Sequence, residues 1–131
     1  MDTLIYLSYG RGAHVDQLIY SVLSTRQKLG LEQSNYRIIV YTDEPGAVAG
    51  LPVHIEVISA KILADWAGPY NFNPPRKIFA IKNALGKFGG RLAYCDADTY
   101  FLKHPRKLFA RIRSGHTVMH IREGHLNHVH G

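Results

Sequence analysis

Leu92-Ala93-Tyr94-Cys95-Asp96-Ala97-Asp98-Thr99-Tyr100 is the stretch around which this chain is organised. A strand, Arg91 to Cys95, runs into two carboxylates spaced i and i+2. In an extended backbone such residues point to the same side. Two acids on one side repel, and a divalent cation removes the conflict. Hard ions such as Mg²⁺ take one or two carboxylates and fill their other positions with water and phosphate oxygens. Ala97, between the acids, is small and leaves room for a bulky ligand. Asp96 and Asp98 are therefore candidate metal ligands, with a diphosphate as the group held through the metal. The plainer alternative is a turn acid followed by a helix cap, both of which favour Asp.

Upstream, Pro75 suits the first turn of a helix, whose buried stripe is expected to be Ile78, Ile81, Leu85 and Phe88. Gly89-Gly90 ends it, and Gly68 to Pro75 before it reads as a loop. Thr3 to Ser8 is a near-continuous apolar run, the pattern of a strand buried on both faces of a parallel sheet. After a turn at Tyr9-Gly10-Arg11-Gly12, a helix from about residue 13 carries Val15, Leu18, Ile19, Val22 and Leu29 on one face and stops at Gly30. Tyr36 to Thr42 is the second strand, closed by Asp43-Glu44-Pro45-Gly46. Val53 to Ile58 alternates apolar with His54 and Glu56, as a half-exposed strand near a sheet edge does. Residues 59 to 67 suggest a short helix.

Downstream of the central strand, His104-Pro105 opens a short helix to about Arg113, and Thr117 to Ile121 reads as a further strand. Residues 124–131 form a polar, histidine-rich tail. Strands alternating with helices predict an α/β fold, a mostly parallel, Rossmann-like sheet flanked by helices. Ligands of such sheets sit beyond the carboxyl ends of strands. The ends concerned are Ser8-Tyr9-Gly10, Thr42-Asp43 and Asp96-Ala97-Asp98.

The 131 residues suit one domain, 1–131. A single cysteine precludes an internal disulfide and fits a reducing compartment. In the apolar strand, Cys95 reads as a core residue rather than a nucleophile. No apolar run approaches the ~20 residues of a membrane span, and Met1-Asp2-Thr3 lacks the basic lead of a secretion signal, so a cytoplasmic protein is expected. Lys plus Arg is 16 and Asp plus Glu is 10, a net charge of +6 that attracts anions. No basic run exceeds two residues, which argues against a nucleic-acid partner. Arg76 and Lys77 are cations near a helix start, a place that favours negative charge, so they are candidate anion contacts. His116, His120, His125, His128 and His130 match no zinc spacing.

Tyr94 to Lys103, followed by His104-Pro105 and a short helix, resembles the DxD segment of GT-A glycosyltransferases. The likeness is to the glycogenin-like and lipopolysaccharide galactosyltransferase-like group, where the motif often reads Y-x-D-x-D. A strand at the N-terminus, a Val40-Tyr41-Thr42-Asp43 strand and a lysine-bearing helix before the DxD extend the resemblance over residues 3 to 121. It implies a GT-A, nucleotide-diphospho-sugar transferase fold. It also implies a nucleotide-sugar donor, most commonly a UDP-sugar, Mn²⁺ or Mg²⁺, and transfer to an acceptor hydroxyl. By the same resemblance Asp96 and Asp98 match the DxD acids, with Asp98 the more direct metal ligand and Ala97 between them. Ser8, Tyr9 and Gly10 match the strand end that lines the base, and Asp43 accepts from the base imide. Arg76 or Lys77 matches a basic residue near the donor phosphates, with Lys77 joining the two acids in catalysis. Such enzymes carry a second, acceptor-binding half, so this stretch corresponds to the donor-binding part.

Asp96-Ala97-Asp98-Thr99 also resembles the first motif of haloacid-dehalogenase-type phosphatases, with a nucleophilic Asp and an acid two residues on. That family needs a later acidic pair, and Glu123 is the only acid after Asp98. A non-catalytic nucleotide-binding module is the third reading.

Overall fold

The computed structural model describes residues 2–9, 14–67, 73–96 and 103–110. Strand β1 (Asp2–Ser8) leads to helix α1 (His14–Leu29), a 3-10 turn (Gly30–Asn35) and β2 (Tyr36–Thr42). A second 3-10 turn (Pro45–Val48) precedes β3 (His54–Val57). Helices α2 (Ala60–Ala67) and α3 (Asn73–Phe88) follow, then β4 (Leu92–Cys95) and α4 (Arg106–Ala110). The strands form a parallel sheet of order β3-β2-β1-β4. The expected α/β, Rossmann-like architecture is thus the observed one.

The placement of the helices follows from the handedness of parallel crossovers. From β1 through α1 to β2, and on to β3, the chain steps in one direction across the sheet. From β3 it returns past β2 and β1 to β4 on the far side. Crossovers of one hand that step in opposite directions lay their helices on opposite faces. Leu4, Tyr6, Ile38, Val40, Ala93 and Cys95 accordingly pack under Leu18, Val22 and Leu29 of α1 and Leu108 and Phe109 of α4. Ile5, Leu7, Ile39, Tyr41, Leu92 and Tyr94 pack under Ala80 and Ala84 of α3. Each strand feeds alternate residues to the two layers, which is why its sequence is apolar throughout.

Three expectations need correction. The strand before the acids is not central: among the described residues β4 pairs with β1 alone, because the returning crossover sets it down on the outside. Helix α3 begins at Asn73, so the predicted loop gives up its last three residues to the helix. Pro74 and Pro75 are tolerated there because first-turn N–H groups have no partner within the helix. The buried stripe of α3 is also rotated. Ala80 and Ala84 are fully buried and Ile81 and Phe88 partly so, whereas Ile78 is 48% and Leu85 45% exposed. Alanines let the helix axis approach the sheet closely, and larger residues are turned to its flanks.

Gly89, at φ +66°, ends α3 in the left-handed conformation, its N–H bonded to the Leu85 carbonyl at 3.2 Å. β3 lies at the sheet edge, as its alternation predicts. The anticipated strand Thr117 to Ile121 and the histidine-rich tail lie outside the described residues. Among the described residues, no helix is long and apolar enough to cross a membrane.

Candidate functional site

The direction of strand connection reverses between β1 and β4, so a crevice is expected beyond their carboxyl ends. Tyr9 follows β1 there and Asp96 follows β4. Thr42 lies in register with Ser8, so Asp43 leaves β2 beside Tyr9 at the same level of the sheet. Ser8 is buried, while Tyr9, Asp43 and Asp96 are half-buried. The Thr42 hydroxyl accepts from the Glu44 N–H at 3.0 Å and fixes the turn that carries Asp43.

Helix α3 supplies the cations. Lys77 precedes Ala80, Ile81 and Ala84 at spacings of three, four and seven, so it shares their sheet-facing stripe one turn earlier. Tyr94 belongs to the layer under α3. Asp96, two residues on, projects toward the same side. The two therefore meet: Lys77 Nζ donates to Asp96 Oδ1 at 3.0 Å. The ammonium also lies 5.6 Å from the centre of the Tyr94 ring. One residue earlier, the Arg76 guanidinium sits 4.7 Å over the Tyr9 ring. The Lys77 and Asp96 side chains are 43% and 19% exposed, so solvent screens the pair and its worth is about 0.2–1 kcal/mol. A cation–π contact at such a place contributes about 0.5–1 kcal/mol. Both contacts are weak enough to be exchanged for a polyanion.

Of the residues singled out from sequence, Asp96, Lys77, Arg76 and Tyr9 thus form two contacts at the switch point. Gly10, Ala97 and Asp98 lie outside the described residues. Tyr94 and Tyr41 entered the sequence reading only as members of strand motifs, with no role for their side chains. Parity along each strand was the available signal, since both fall on the α3 side. The Tyr41 hydroxyl donates to Asn83 Oδ1 of α3 at 2.7 Å. Burial, and then the charge of Glu56, push that phenol up to about 12. Cys95 is a buried thiol pushed up to about 12 by burial and by neighbouring Asp96, so it is protonated at neutral pH and poorly suited to attack.

Among the described residues, no three His, Cys, Asp or Glu side chains converge as a ready-made metal cage. The donor present, the Asp96 carboxylate, is a hard oxygen ligand. This fits Mg²⁺ or Mn²⁺ held by one or two carboxylates and completed by ligand oxygens and water.

Scans of this chain against protein-family models, curated proteins and solved structures found no match. The chain is a small α/β domain with an all-parallel four-stranded sheet.

Proposed function

We propose that this chain is the donor-binding part of a metal-dependent glycosyltransferase of the GT-A type, taking a nucleoside-diphosphate sugar and serving transfer to an acceptor hydroxyl. The observation that carries the proposal is the 3.0 Å pair of Lys77 and Asp96 beside the β1/β4 switch point. An acid that can hold a hard cation and a base that can hold a phosphate are there within one hydrogen bond of each other.

In this reading Asp96 and Asp98 hold the divalent ion, which when bound supplies Lewis-acid neutralisation of the departing diphosphate. Lys77 and Arg76 contact the diphosphate oxygens, adding fixed positive charge where the leaving group gains negative charge. With α3 starting at Asn73, Arg76 closes its first turn and Lys77 lies just beyond it, so the expected first-turn placement holds for Arg76 and not for Lys77. Tyr9 and Asp43, which directly follow β1 and β2, contact the nucleoside, together with Ser8 and, by the resemblance, Gly10.

Calorimetric titration of UDP and UDP-sugars, with and without Mn²⁺, tests the proposal. The expected outcome is Mn²⁺-dependent binding that Asp98→Ala abolishes while the far-UV circular dichroism stays unchanged. Unchanged Mn²⁺-dependent binding in Asp98→Ala would reject the metal assignment. Phosphate release from a general phosphatase substrate, without nucleotide binding, would favour the haloacid-dehalogenase alternative.

A further inference from the structure

We infer that Lys77 is a built-in competitor for the cation at Asp96, so that metal and diphosphate bind this site cooperatively. The inference rests on the donor-binding proposal above and concerns how that site is regulated. The Lys77 ammonium occupies Asp96 Oδ1 at 3.0 Å. A divalent cation arriving alone must displace that ammonium or bind against its charge. A diphosphate arriving alone meets the negative charge of Asp96. When both arrive, Lys77 exchanges its carboxylate partner for a phosphate oxygen, and the carboxylate turns to the metal.

Two features make the exchange feasible. Lys77 is 43% exposed, so its head can swing without opening the core. It leaves α3 on the stripe that faces the sheet, with its ammonium 5.6 Å from the centre of the Tyr94 ring, so the swing begins beside the strand ends. Because coupling between ligands is reciprocal, each raises the affinity for the other by the same factor. Part of that factor is the direct contact between metal and phosphate. The part assigned here to Lys77 is the penalty on the metal when it comes alone.

The test is Mn²⁺ binding without nucleotide, followed by loss of the free-ion electron paramagnetic resonance signal, in the wild-type protein, Lys77→Met and Lys77→Arg. Lys77→Met removes the charge and keeps the apolar stem; it should tighten Mn²⁺ alone about fivefold. Lys77→Arg keeps the charge and should leave Mn²⁺ affinity near the wild-type value. In excess Mn²⁺, calorimetry should show UDP bound more weakly by Lys77→Met than by wild type. A merely structural Lys77 would not make its own removal tighten a metal. Unchanged or weaker Mn²⁺ binding in Lys77→Met, with UDP still bound by the wild-type protein in Mn²⁺, would overturn this inference alone. No uptake of Mn²⁺ by any of the three proteins, with or without UDP, would overturn both this inference and the donor-site proposal.

Discussion

The Tyr6 hydroxyl lies in the layer between the sheet and α1, 3.0 Å from both Ser21 Oγ and Thr25 Oγ1. All three residues are buried, and burial raises the Tyr6 phenol well above its ordinary value. A buried hydroxyl is tolerable when it is paired, and this one meets two partners. Ser21 and Thr25 share the Leu18, Val22 and Leu29 face of α1, so their place was legible as helical spacing. Their polarity hid it, because an apolar stripe is sought among apolar residues. Thr3 is the opposite case: its Oγ1 is fully buried and has no partner among the described residues. The two sites predict contrasting outcomes in urea unfolding. Tyr6→Phe, which strands two hydroxyls, should cost about 1–2 kcal/mol. Ser and Thr can turn back to a helix carbonyl, which keeps the loss at that size. Thr3→Val replaces an unsatisfied hydroxyl by a methyl of the same shape and should leave the midpoint unchanged or raise it. A Thr3→Val protein less stable than Tyr6→Phe would contradict both assignments.

Helix α3 is the element on which sequence and structure part. Its existence and its end at Gly89 were readable from Pro75, the apolar spacing and the glycine pair. Its rotation was not, since a stripe chosen by size selects isoleucine and leucine over alanine. Close contact with a sheet rewards small residues, and Ala80 and Ala84 provide it. The same rotation puts Lys77 over the strand ends, so the burial pattern and the candidate site have one cause. Leu85→Gln, at a position 45% exposed, should change stability by no more than about 0.5 kcal/mol. Ala84→Leu forces a larger side chain between helix and sheet and should cost about 1–3 kcal/mol. The order reverses if Leu85 faces the core, which makes the two urea midpoints a direct readout of the rotation.

At the scale of the whole molecule, alternation of strand and helix identified the class, but the neighbours of each strand were beyond its reach. Periodicity reports how an element is buried and not which strand it lies beside, so it could not bring Lys77 to Asp96, nineteen positions on; the family resemblance alone grouped the two. The opposite edge of the sheet closes in a similar way. Glu56 of β3 pairs with His54 at 2.8 Å and with Lys87 near the end of α3, and the His54 ring lies 5.4 Å from that of Phe88. This charged cluster ties α3 to an edge strand that would otherwise offer unpaired backbone to another chain. It also has a pH signature. Burial pushes the Glu56 carboxyl up, but hydrogen bonds from Lys87 and His54 outweigh it and hold the group below its ordinary value. A carboxyl depressed in the native state binds protons more readily when unfolded. Its stabilising contribution is therefore present above about pH 4.3 and fades as pH falls through the lower native value. Glu56→Gln removes the titrating group and keeps the shape. The stability difference between wild type and Glu56→Gln should be full above about pH 4.3 and shrink as pH falls through the lower native value, as read from urea midpoints at stepped pH. A difference that stays constant across that range would mean that the cluster holds the edge by packing rather than by charge.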